Sequence, residues 1–164
     1  MVNGQSVLLL GNSTVARELA TSLDELGVDV GFVTTTRDAF DALQSGERHD
    51  LLAVEMTAVG FGELGLADLA AAARERNTRL ALMTSRSVFE IDACASLLGA
   101  VGSLNKWMPV HVTAKRLSEL AVAPRPEQSS DAHGWSARAP WGLVANSAGT
   151  DIRDSRMAYD NPSV

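Results

Sequence analysis

The sequence predicts a doubly wound α/β domain built on a five-stranded parallel sheet. Two observations carry this expectation. Short apolar runs alternate five times with segments whose apolar residues recur at helical spacing, and the connections between them are short. The runs are also almost continuously apolar, as strands are when helices cover both faces of a sheet. Right-handed crossovers then leave only a few doubly wound topologies.

The elements follow in order. Val7 to Leu10, closed by Gly11 and Asn12, read as the first strand. In STVARELATSLDELG, Val15, Leu19, Leu23 and Leu26 form a helical stripe, Ser13 or Thr14 caps the start, and Gly27 ends it. VDVGFV is the second strand. In TTTRDAFDALQSG, Thr35 and Asp38 form a capping arrangement, Ala39, Phe40 and Leu43 make the apolar face, and Gly46 stops the helix. HDLLAVEM is the third strand, followed by a loop with Gly60, Gly62 and Gly65. LADLAAAARERN is a helix by propensity, with Arg74 and Arg76 near its end. TRLALMTS is the fourth strand. RSVFEIDACASLLGA is a helix with Val88, Ile91, Cys94, Ala95 and Leu98 on one stripe and Gly99 at its end. VGSLNKW is a short fifth strand, and the last helix begins near Pro109.

Composition shifts at Ala123. Residues 1–122 read as the domain and 123–164 as a mostly disordered tail rich in Pro, Ser, Ala, Asn and Asp. The tail carries Trp135, Trp141 and Tyr159, which serve either as anchors on a partner or on the chain's own domain, or as inert residues.

Charge and motifs exclude several function classes. A net charge of −6 gives no electrostatic footprint for nucleic acid, and no Lys/Arg run suggests an anionic membrane surface. The residues after Leu120 lack the periodicity of a helix-turn-helix. No apolar run is long enough to span a membrane, and the N-terminus lacks the basic start of a signal peptide, so a cytoplasmic location is expected. The single cysteine, Cys94, excludes an internal disulfide and reads as a buried structural thiol. His49, His111 and His133 stand apart without metal-ligand spacing and read as surface residues. No nucleophile elbow is present, so no enzyme, metal or cofactor is expected. Gly11-Asn-Ser-Thr-Val-Ala16 keeps only the first glycine of a dinucleotide fingerprint, with Thr34 to Thr36 where an acidic ribose ligand would stand.

Residues 6 to about 121 resemble the receiver domain of two-component response regulators. Asp50-Leu-Leu-Ala-Val-Glu55 is similar to the family's Asp-x-x-x-x-Asp, with Glu55 at the phosphoacceptor place. Thr84 matches the hydroxyl that ends strand four. Lys106 matches the lysine after strand five, with Gly99-Ala100 seven residues before it. The resemblance implies a flavodoxin-like strand order 2-1-3-4-5. It also implies a partner or homodimer face on the fourth helix, fifth strand and fifth helix, where Phe89, Trp107, Met108 and Val110 lie. Trp107 there is either a recognition anchor or core filling.

The departures from that pattern are specific. Gly11 and Asn12 stand where the family's acidic pair holds magnesium. Glu55 is one methylene longer than aspartate. Trp107 replaces the proline after the lysine, and Ser103 stands at the aromatic switch position. With one carboxylate the edge is a poor magnesium site, and phosphoryl transfer depends on that metal. The expectation is a degenerate receiver that signals without phosphorylation by binding a protein partner, such as a histidine kinase, a regulator or an effector. Glu55 is then either a built-in mimic of phospho-aspartate reaching Lys106 and Thr84, or a carboxylate solvated or hydrogen-bonded at a strand end. Two alternatives stay open: a small-ligand or nucleotide sensor using Gly11 to Thr14, and an atypical phosphoacceptor using Glu55.

Overall fold

The computed structural model describes residues 4–59, 64–86 and 88–123, the side chains of 88–90 excepted. The tail beyond Ala123, with His133, Trp135, Trp141 and Tyr159, lies outside the described residues, as do Gly60, Gly62 and the Phe89 side chain. Within them, strands β1 (Ser6–Leu10), β2 (Asp29–Val33), β3 (Leu51–Glu55), β4 (Arg79–Thr84) and β5 (Gly102–Asn105) alternate with helices α1 (Thr14–Glu25), α2 (Thr36–Gln44), α3 (Leu66–Glu75), α4 (Val88–Leu98) and α5 (Val110–Val122). A single 3-10 turn, Met56–Ala58, follows β3. The strands form one parallel sheet in the order β2-β1-β3-β4-β5.

Successive side chains on a strand point to opposite faces, so a buried parallel sheet sorts its apolar residues into two cores. Leu8, Leu10, Leu52, Val54, Leu80 and Leu82 pack under α2, α3 and α4 through Ala39, Leu43, Leu69, Ala73, Ile91 and Ala95. Val7, Leu9, Leu51, Ala53, Ala81, Met83 and Leu104 pack under α1 and α5 through Leu19, Leu23, Ala114, Leu117 and Leu120. This parity fixes the site: Glu55, two residues on from Ala53, faces α1 and α5.

The helix ends follow local chemistry. Ser13 caps α1, its Oγ accepting from the Ala16 N–H at 3.2 Å, and Thr35 caps α2 through the Asp38 N–H at 3.1 Å. Gly27 follows α1 with φ of 76°, the left-handed conformation that glycine adopts without strain. Asn77 takes that conformation after α3, with φ of 60°. Pro109 stands at the N-cap of α5, one position before the helix proper. The far end of α5 is held by Arg79, whose guanidinium donates to the Ala121 carbonyl and, at 2.6 Å, to the Ala123 carbonyl. Those carbonyls lack intrahelical partners, and a cation there also opposes the negative end of the helix dipole.

Two readings of single residues change. His49 is buried, not at the surface. It stands two residues before the central strand, where Nδ1 lies 3.1 Å from Ser6 Oγ and its carbonyl accepts from Thr78 Oγ1 at 2.9 Å. His111 is exposed as expected. Cys94 is half-buried, because the α4 stripe turns Ile91 and Ala95 most fully to the core. No helix of the described residues is long and apolar enough to cross a membrane.

Candidate functional site

The carboxyl ends of β1, β3 and β5 bring the site together. Pairing of Leu10 with Val54 sets the turn after β1 beside Glu55. β5 lies two strands from β3, about 10 Å away at ordinary strand spacing, so a long side chain is needed to cross the end of β4. Lys106 supplies it. Its Nζ donates to Glu55 Oε1 at 3.0 Å. The other oxygen, Oε2, accepts from the backbone N–H groups of Asn12 at 3.0 Å and Ser13 at 3.2 Å.

Glu55 is 1% exposed, among the most deeply buried side chains of the domain. A buried charge persists when it is paired and its lone pairs are met, and both conditions hold here. Asn12 and Ser13 lead into the first turn of α1, where unsatisfied N–H groups and the helix dipole favour an anion. Burial alone would push the Glu55 carboxyl up. The Ser13 hydroxyl, Lys106 and the two backbone N–H groups outweigh it and hold the group below its ordinary value. Glu55 is therefore an ionised, internally liganded carboxylate rather than a solvated one.

The other expected residues divide. Thr84 is buried, and its Oγ1 accepts from the Arg86 N–H at 2.9 Å, so the hydroxyl serves the turn after β4. Its carbonyl accepts from the Lys106 N–H at 2.8 Å, which sets the base of the lysine. Ser103 donates to Asp92 Oδ1 at 2.5 Å, tying β5 to α4. Trp107 is 70% exposed, not core filling, and the Lys106 ammonium lies 5.6 Å from its ring centroid, within cation–π range. The Trp107 N–H donates to Asn105 Oδ1 at 2.9 Å, which turns the chain outward at the end of β5. Met108 and Val112 are also exposed beside it in sequence, and Val110 is half-buried.

Magnesium, which the receiver fold implies, does not fit these residues. The ion demands near-octahedral oxygen ligation. Gly11 and Asn12 provide no carboxylate, and both oxygens of Glu55 are engaged by nitrogen donors. Among the described residues no cluster of three or more His, Cys, Asp or Glu is placed to hold a metal. A nucleotide fares no better in this arrangement. The N–H groups of Asn12 and Ser13 that would hold a phosphate are taken by Glu55. The crevice beside it, lined by Val15, Ala16, Leu19, Met83, Val110 and Thr113, measures about 10 Å³, room for about one water molecule.

Glu55 and Lys106 were legible in the sequence as strand-end residues. The donors Asn12 and Ser13 were not, since backbone N–H groups carry no side-chain signature. An N-cap serine directly after one strand, facing an acid that ends its neighbour, is the signal that points to them.

No family model matches the chain, and no curated protein matches it by sequence. Its fold has solved counterparts. A response regulator from Thermotoga maritima matches with a TM-score of 0.61 at 20% identity, over 73% of this chain and 99% of that one. The chemotaxis response regulator CheY4 of Vibrio cholerae matches with a TM-score of 0.61 at 20% identity, over 72% and 99%. A response regulator from Burkholderia pseudomallei, solved with a phosphorylated aspartic acid, calcium ion and citrate, matches with a TM-score of 0.58 at 20% identity, over 71% and 68%. The architecture of residues 6–122 is thus that of the response-regulator receiver domain, with the strand order 2-1-3-4-5 that such domains share.

Proposed function

We propose that the chain is a phosphorylation-independent receiver module of a two-component-like pathway, acting by binding a protein partner. The observation that carries this reading is the Glu55–Lys106 ion pair, completed by the Asn12 and Ser13 N–H groups. A receiver of the ordinary kind gains a negative group at the end of β3 by phosphorylation and neutralises it with a lysine and a metal. Here the negative group is part of the chain, and its neutralising donors are nitrogen atoms. The Burkholderia protein, with its phosphorylated aspartate and calcium, is the contrasting case. Among the described residues Glu55 has no metal-binding acids beside it to support attack on a phosphoryl group.

The partner surface is the α4–β5–α5 face. Exposed Trp107 and Met108 form its apolar centre, and aromatic anchors of this kind dominate binding energy at interfaces. A histidine kinase, another regulator, an effector or a second copy of the chain fits such a surface.

The test is incubation with magnesium and acetyl phosphate or beryllofluoride, followed by intact mass and amide NMR. The expected result is no adduct and no change at Glu55, Thr84 or Lys106. A stable adduct lost in Glu55→Gln would overturn the reading and make Glu55 a working phosphoacceptor.

A further inference from the structure

Gly11 occupies the first position after β1, and its N–H donates to the Val33 carbonyl at 3.0 Å. Its φ lies outside the left-handed region, so no backbone conformation demands glycine there. Space does. A Cβ at residue 11 would fall 2.4 Å from the Ala16 Cβ and 3.1 Å from Glu55 Oε2. The first contact is far inside van der Waals range. Ala16 is itself buried on α1, and its Cβ moves only if the helix moves. Any side chain at position 11 therefore shifts the first turn of α1 or displaces the carboxylate.

We propose that Gly11 is the positioning residue that makes this strand edge self-liganded: its missing side chain lets α1 close onto Glu55, so that the Asn12 and Ser13 N–H groups occupy the carboxylate and a divalent cation is shut out. The absent acidic pair is then only half of the departure from a metal site. The other half is steric. An aspartate at position 12 alone adds a ligand at the rim while Glu55 stays bound to nitrogen donors. A side chain at position 11 opens the closure. This deepens the phosphorylation-independent reading, because it names what keeps Glu55 in place, yet its test needs no phosphoryl donor.

The experiment compares the full-length protein with Gly11→Ala, Asn12→Asp, and Gly11→Asp combined with Asn12→Asp. Readouts are amide NMR, the acid limb of thermal stability, and selective broadening by added Mn²⁺. Gly11→Ala is expected to move the Asn12 and Ser13 amide resonances and to shift the acid limb to higher pH, as Glu55 loses its N–H donors. Asn12→Asp is expected to keep the native resonance pattern at Ser13 and Lys106 and to show no selective broadening. The double variant is expected to broaden residues 11–13, 55 and 106. If Gly11→Ala does not fold, Gly11→Ala with Ala16→Gly removes the overlapping atom and should return the amides of residues 12 and 13 to near-native positions. The proposal is overturned if Gly11→Ala leaves those amides and the acid limb native. It is overturned equally if Asn12→Asp alone binds Mn²⁺ as tightly as the double variant, or if the Ala16→Gly combination also fails to fold. An acetyl phosphate adduct on the native chain would sink the signalling reading and leave the Gly11 result standing.

Discussion

The two edges of the sheet treat buried polarity in opposite ways. At the carboxyl edge, Glu55 is sealed from water and both of its oxygens are met by three donors from two separate segments, the turn after β1 and the residue after β5. At the amino edge, His49 is buried and Arg79 half-buried, but each keeps a buried nitrogen, Nε2 and Nε respectively, that finds no partner among the described residues. The amino edge serves the frame: Ser6 meets His49 and Asp50, and Arg79 ties β4 to the end of α5. The carboxyl edge holds a charge that no packing requirement explains, since a leucine fills a strand end at less desolvation cost. A frame tolerates an imperfectly met polar atom. A buried charge must be met fully, as Glu55 is.

Substitutions separate the two edges, beginning with the largest effect. Lys106→Met leaves the Glu55 carboxylate buried beside two N–H donors and no cation, and is expected to cost about 3–5 kcal/mol in urea unfolding. Combining it with Glu55→Gln should recover a large part of that loss, because the pair is coupled. A purely additive double variant would mean that the ion pair is not the organising contact of the edge. At the opposite edge, Arg79→Met removes two charge-assisted bonds to the last carbonyls of α5 and is expected to cost about 2–3 kcal/mol. Hydrogen exchange should rise in the last turn of α5 and stay native at Asn12 and Ser13. Exchange rising at both edges would erase the distinction between frame and site.

The pH dependence sharpens the comparison further. Glu55 has a folded-state value below its unfolded one, so the folded chain binds fewer protons than the unfolded chain in the acid range. Stability from this group is fully present above the ordinary carboxylate value. It is lost as pH falls from there through the lowered one. Thermal unfolding of the native chain should therefore lose stability in that acid window, and Glu55→Gln should flatten part of the loss. Equal acid limbs in the two proteins would mean that the carboxylate is not held ionised by its donors.

The smallest effect on stability is expected at Trp107. Its ring is largely in water and its contact with Lys106 is a cation–π interaction, so Trp107→Ala should change stability by no more than about 1 kcal/mol. The same change should abolish capture of the protein partner in a pull-down with the full chain. Undiminished capture would move the recognition surface away from the end of β5.

Much of the fold was legible in the chain. The five alternations, the caps at Ser13 and Thr35 and the stop at Gly27 are local features, and local propensity agreed with tertiary packing at each. Individual environments were harder. His49 reads as a surface residue because histidine usually is one, but its place just before the central strand buries it. Trp107 stands open in the sequence between recognition anchor and core filling, and the structure leaves it largely in water. Both outcomes depend on which segment lies next to the residue in space, and no periodicity records that.

For the site, the sequence by itself determined that an acid ends the central strand, that a lysine follows the last strand, and that no second carboxylate stands after the first. Only the tertiary structure decided that the acid is occupied. The donors to Glu55 lie 43, 42 and 51 residues away along the chain, two of them are backbone groups, and they converge because strand order brings the ends of β1 and β5 to either side of β3. The missing Cβ of Gly11 lets them close. A carboxylate at a strand end is a matter of one residue, whereas its state of charge and ligation belongs to the assembled sheet edge.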